Sequence, residues 1–109
     1  MRLSRPITII LARHTQTADN VDKVYSGQRD ISLNDVGIAQ AIELAKQLKG
    51  QTLVAIYASD LDRTRVVSEM IASHHRDVPF YPDARLRELD MGRISGMTKA
   101  DALVKHPEV

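Results

Sequence analysis

Thr52-Leu53-Val54-Ala55-Ile56-Tyr57 runs through Ala58-Ser59-Asp60 into Leu61-Asp62-Arg63-Thr64-Arg65-Val66-Val67-Ser68-Glu69-Met70-Ile71. The first six residues are apolar, β-branched or aromatic without alternation, the pattern of a strand buried on both faces. Past residue 60 the period changes. Val66, Val67, Met70 and Ile71 form one helical stripe, which predicts a helix starting near residues 60–62 and running to about residue 74. A buried strand that feeds directly into an amphipathic helix is the repeating half of a parallel crossover fold.

Upstream, Asn34 can cap a helix whose apolar residues Ile38, Ala41, Ala45 and Leu48 recur at spacings of three and four. Gly50 stands where a left-handed C-terminal cap belongs. Further back, Pro6 opens Ile7-Thr8-Ile9-Ile10-Leu11, a second candidate for a buried strand. The polar residues 13–30 between that strand and the first helix exceed a minimal connection, which marks them as functional. Downstream, Val78-Pro79-Phe80-Tyr81 predicts a short strand whose proline places it at an edge or a strand start. Thr98 followed by Asp101 predicts a last helix that stops before Pro107. The resulting order of strands and helices predicts an α/β fold, three layers α/β/α around a mainly parallel sheet, in a single domain spanning residues 1–109. Ligands in such sheets bind beyond the carboxyl ends of strands. That rule directs Arg13-His14 and residues 59–63 to one crevice.

Composition narrows the function classes. Hydrophobic residues at 43% and charged residues at 27% are those of an ordinary globular protein and argue against disorder. Fifteen Lys+Arg against fourteen Asp+Glu leave a formal charge of +1, so no global field attracts nucleic acid or an anionic membrane. Any anion site must be local. The absence of cysteine excludes disulfides, thiolate nucleophiles and Cys-ligated zinc, and fits a reducing compartment. The apolar run at residues 7–12 is too short to span a membrane and ends in Arg13 rather than a cleavage site, so a cytoplasmic protein is expected.

Three clusters carry chemistry. Arg13-His14, directly after a predicted strand, offers a nucleophilic imidazole beside a guanidinium suited to phosphate; the plainer reading is a loop histidine bonded to backbone. Asp60, Asp62, Arg63 and Arg65 crowd a strand-to-helix junction. Their arginines can simply pair with the aspartates, or Arg63 can join the first-turn N–H groups in holding an anion. Arg85-Leu86-Arg87-Glu88-Leu89-Asp90, with Gly92 and Gly96 after it, reads as a solvated loop unless Glu88 faces an anion that raises its pKa and lets it act as an acid.

Together these residues resemble the histidine phosphatase superfamily, the phosphoglycerate-mutase-like proteins. Arg13-His14-Thr15-Gln16-Thr17, with Asn20 beyond it, is similar to the family's Arg-His-Gly-Glu/Gln-Thr signature and its downstream asparagine. Ser26-Gly27-Gln28-Arg29-Asp30-Ile31-Ser32-Leu33, then Gly37 and Gln40-Ala41, resembles the next block. Residues 56–64 are similar to the block bearing a second phosphate-binding arginine, and Leu86-Arg87-Glu88 with Gly92 and Gly96 to the block with the catalytic glutamate. The four blocks keep the family's order across residues 7–98. The resemblance implies a phosphomonoester hydrolase that acts on small phosphorylated metabolites through a phosphohistidine, with no metal or cofactor. It makes His14 the nucleophile and Glu88 the acid and base, sets Arg13, Asn20 and Arg63 on the phosphoryl oxygens, and puts Ser26 and Gly27 at the substrate. Phosphoryl transfer between hydroxyls, as in phosphoglycerate mutases, is the alternative chemistry, and a non-catalytic phosphate-binding domain the alternative without turnover.

Two positions depart from the pattern. Thr15 occupies the signature's usual glycine, a variant similar to some α-ribazole-phosphatase-like members, and Ser95 stands where a glutamate is common. Complete members are also considerably longer, and their second active-site histidine follows these blocks. The chain is therefore expected to be a truncated, N-terminal portion with little phosphatase activity by itself. The sheet edge left open on residues 7–11 predicts self-association. His74 and His75 are expected to meet terminal helix carbonyls, and His106 to lie in a fraying tail.

Overall fold

A computed structural model describes residues 5–109. Helix α1 (Ala18–Asp22) is a single turn closed by a capping box, in which Thr17 and Asn20 satisfy each other's backbone N–H. Helix α2 (Asp35–Leu48) begins where Asn34 accepts a hydrogen bond from the Gly37 N–H at 2.8 Å. Strand β1 (Ile56–Ala58) leads into α3 (Asp62–Ala72), strand β2 (Phe80–Pro82) follows, and α4 (Lys99–Lys105) starts at the Thr98 cap and ends two residues before Pro107. Two short 3₁₀ turns, Ala84–Leu86 and Gly92–Ile94, lie between β2 and α4.

The core is the contact of α2 with α3. Ala41, Ala45, Val67 and Ile71 are buried at its centre, flanked by Leu33, Leu44, Leu48, Leu53, Ile56 and Met70. Small alanines on α2 let the helices approach closely, and the branched residues of α3 fill the space. Strands β1 and β2 pair in parallel, Ile56 against Phe80 and Ala58 against Pro82, with α3 as the crossover between them. Pro82 is tolerated because β2 is an edge. On the exposed face, Tyr57 and Tyr81 stack with ring centroids 5.1 Å apart.

The fold is α/β with a parallel sheet, but three local expectations are corrected. Residues 7–11 do not form a strand. Parallel pairing needs a neighbour for every N–H and C=O, and no backbone group among the described residues pairs with them. Ile9 and Leu11 are accordingly 74% and 91% exposed. The strand expected over residues 52–57 begins only at Ile56, where β2 comes alongside. Gly50 does not adopt a left-handed conformation, because α2 closes at Lys49 with ordinary helical angles. His75 meets a helix carbonyl as expected, but across the core: its Nε2 lies 3.0 Å from the Leu48 carbonyl of α2.

The radius of gyration is 16.4 Å and the thinnest dimension 18 Å, against the roughly 13 Å radius of a compact chain of this length. Its accessible surface of 7998 Å² exceeds the about 6,100 Å² expected for its mass. Exposed large apolar side chains include Ile7, Ile9, Ile10 and Leu11, with Val54 just before β1 and Tyr57 within it.

Candidate functional site

With no strand beneath them, Arg13 and His14 are positioned by the segment that follows. The Thr15 hydroxyl donates to the Gly37 carbonyl at 2.6 Å, and the Asn34 N–H donates to the Gln16 carbonyl at 3.1 Å. The Gln16 N–H donates to the Gln40 side chain, and buried Thr17 bridges Leu33. Residues 15–17 are thus sewn along the first turn of α2. Thr15 has a structural use at the position where the signature has glycine. Glycine suits position 37, because a Cβ there would clash with the Gln16 carbonyl oxygen.

Half-buried His14 faces a cavity of about 460 Å³. Its Nδ1 lies 2.7 Å from the Thr15 carbonyl oxygen, which can only accept, so Nδ1 carries the proton and Nε2 keeps its lone pair. Burial, and then the Arg63 and Arg13 charges, lower its pKa; the Thr15 hydrogen bond and the Glu88 charge act in the opposite sense. The net direction is down. A lowered pKa favours the neutral ring, and the Thr15 carbonyl favours its Nδ1–H tautomer.

Arg13 and Asn20 line the same cavity. Asn20 spends its Oδ1 on the Thr17 N–H and hydroxyl, which leaves its Nδ2 to donate. Arg63 does not line it. Only 2% exposed, in the first turn of α3, it donates from Nη1 to the Arg29 carbonyl and from Nη2 to the Gly27 carbonyl, both at 2.6 Å. No carboxylate among the described residues pairs with it. The neighbouring acids go elsewhere: Asp62 pairs with Arg65, and Asp60 with Arg87 across the junction. A buried guanidinium balanced only by carbonyl dipoles favours an anion nearby.

Ser26 and Gly27 also lie outside the cavity lining. The Ser26 hydroxyl donates to Asp19 at 2.9 Å, and Gly27, at φ +53°, turns its carbonyl to Arg63. Glu88 is exposed outside the lining as well; the Gln28 side chain holds its backbone carbonyl at 3.2 Å. Motif reading missed Lys23 and Lys99, which complete the cavity's positive rim. Lys99 arrives there because its N–H donates to the Lys23 carbonyl at 2.8 Å. The signal for Lys23 is conformational: it closes α1 in the left-handed region at φ 54°.

The sequence profile of the histidine phosphatase superfamily (branch 1) matches residues 9–109. The chain belongs to this superfamily. It is 33% identical over 101 residues to phosphoglycerate mutase-like protein 4 of Arabidopsis thaliana, covering 92% of this chain and 44% of the relative. Against the probable phosphoglycerate mutase GpmB of Proteus mirabilis it is 41% identical over 87 residues, covering 79% of this chain and 40% of that one. Among solved structures it superposes on a mycobacterial glucosyl-3-phosphoglycerate phosphatase complexed with VO3 at a TM-score of 0.82 and 30% identity, over 88% of this chain and 46% of the other. The chain therefore spans about half the length, or less, of the relatives it matches. Among the described residues, no helix is long and apolar enough to cross a membrane.

Proposed function

We propose that the site performs phosphomonoester chemistry through a phosphohistidine. One observation carries the reading: an imidazole whose Nδ1 is held 2.7 Å from the Thr15 carbonyl, beside Arg13, at a cavity whose rim carries Lys23 and Lys99. Nε2 of His14 attacks phosphorus and the P–O ester bond breaks. Glu88 gives its proton to the leaving oxygen, then takes one from the water that attacks the phosphohistidine, releasing inorganic phosphate and restoring His14. Attack on a dianionic ester is opposed until its oxygens are neutralised, the part assigned to Arg13, Arg63 and the Asn20 amide. Ser26 and Gly27 are assigned to the substrate side. The chemical class is a small phosphorylated metabolite; the names of the relatives support phosphatase and mutase chemistry alike. A reading without turnover, phosphate binding alone, is favoured by one feature, the exposure of Glu88 outside the cavity lining.

Binding is tested by calorimetric titration of the chain with inorganic phosphate. Arg13→Ala should weaken it by about 1.5–3 kcal/mol, the scale of a hydrogen bond to a charged group, or roughly 10- to 150-fold. Equal affinity in the variant would contradict the assignment.

Self-association belongs to the same proposal. The exposed side chains of Ile7, Ile9, Ile10 and Leu11 offer apolar surface that a second copy would cover. A net charge of +1 offers little repulsion against a second copy. Sedimentation velocity should show a concentration-dependent dimer or larger species, which Leu11→Lys shifts to monomer. A monodisperse monomer at all concentrations would contradict this.

A further inference from the structure

We propose that Asp19 is the positioning residue for Arg63: through Ser26 and Arg29 it fixes the loop at residues 26–30, and that loop fixes the guanidinium. The inference rests on the phosphohistidine reading only for what Arg63 does, not for where it sits.

Asp19 is 8% exposed, and one carboxylate oxygen, Oδ2, receives both the Ser26 hydroxyl at 2.9 Å and Arg29 Nη1 at 3.0 Å. A carboxylate is held at such a position only when its charge is compensated. A single-turn helix has too little stability of its own to need it. What Asp19 joins is more informative. The loop is tied to α3 by Asp30, whose carboxylate accepts from the Asp62 N–H at 2.7 Å, and by the Gly27 and Arg29 carbonyls on Arg63. Gln28 ties it to the Glu88 backbone. Among the described residues, the two bonds to Asp19 are the only hydrogen bonds from this loop to α1, the element that carries Asn20 beside the His14 cavity. Asp19 is the link that registers the Arg63 side of the site against the His14 side. Its action is indirect: it touches Arg29 and Ser26, and their loop touches Arg63.

Two opposite effects make this testable with Asp19→Asn. Asp19 itself borders the cavity, with Arg13, Lys23 and Lys99 as the other charged groups of its lining. If Asp19 acts only as a nearby negative charge, removing it strengthens phosphate binding and lowers the His14 pKa. If it positions Arg63, the guanidinium drifts from its place. Phosphate affinity then falls by about tenfold, equivalent to about 1.4 kcal/mol, and the His14 pKa rises, because the Arg63 charge normally depresses it. The readouts are calorimetry with inorganic phosphate and the NMR titration of the His14 ring protons. In an Arg63→Lys background, where one ammonium cannot span both carbonyls, Asp19→Asn should cost no further affinity. A raised His14 pKa with non-additive affinities supports the proposal. An unchanged or lowered pKa, or fully additive losses, overturns it. Should Asp19→Asn not fold cooperatively, Arg29→Gln breaks the same ion pair from its more exposed end, and its non-additivity with Arg63→Lys decides. If the unaltered chain binds no phosphate, the phosphohistidine reading fails while the His14 titration still judges the role of Asp19.

Discussion

Arg63→Met should lower the stability of the chain by about 3 kcal/mol or more, from two charge-assisted hydrogen bonds worth about 1.5–3 kcal/mol each in net terms. Relief of the buried charge offsets part of this, since an unpaired guanidinium bears a desolvation cost. The bonds win, because methionine leaves the Gly27 and Arg29 carbonyls facing an apolar side chain with no donor. For a chain of this size about 3 kcal/mol is a large share of a total of about 5–15 kcal/mol, and each kcal/mol moves the melting temperature by roughly 4–8 °C. Calorimetric melts should show the loss. They should also show that phosphate at a hundredfold excess over its Kd, which adds about 2.7 kcal/mol to a protein that binds it, raises the melting temperature of the unaltered chain far more than that of the variant. Equal melting temperatures would mean that the buried guanidinium contributes nothing to the fold.

Gly37→Ala tests how His14 is placed. Alanine should improve α2 by about 0.8–1.0 kcal/mol over glycine on propensity alone. The new methyl would instead clash with the Gln16 carbonyl oxygen. Overpacking costs about 1–3 kcal/mol even where side chains can yield, and here the obstacle is backbone held by the Asn34 N–H. The steric term prevails. The expected result is net destabilisation in denaturant titration together with altered NMR resonances for Thr15 and His14, since residues 15–17 must lift off α2. A stabilised variant with unchanged His14 resonances would refute this placement.

Local chemistry that depends on near neighbours was readable from residue order. Asn34 and Thr98 cap their helices, Val67, Met70 and Ile71 of the α3 stripe face the core, and the strand expected over residues 78–81 forms at Phe80–Pro82. The Arg13-His14 pair was conspicuous because few residue types combine nucleophile and anion clamp. What escaped were features set by distant partners. Ile7-Thr8-Ile9-Ile10-Leu11 has every local property of a strand, but strand formation is a property of pairs, and no described segment pairs with it. The first turn of α3 is capped by Asp30, thirty-two residues upstream, which no local signature announces. Lys23 and Lys99 meet at the cavity only through long-range backbone pairing of residues 23–25 with 96–99. Arg63 stood out by residue type, whereas its tie to two loop carbonyls had no local signature.

The central claim is that Nε2 of His14 takes the phosphoryl group. The most direct test is to incubate the chain with p-nitrophenyl phosphate, quench in alkali, and locate any bound phosphate by ³¹P NMR and peptide mass spectrometry. The account predicts an acid-labile, alkali-stable phosphoramidate on the Nε2 of His14, absent from His14→Asn and reduced in Arg13→Ala. Phosphate on another residue, or labelling that persists in His14→Asn, would contradict it.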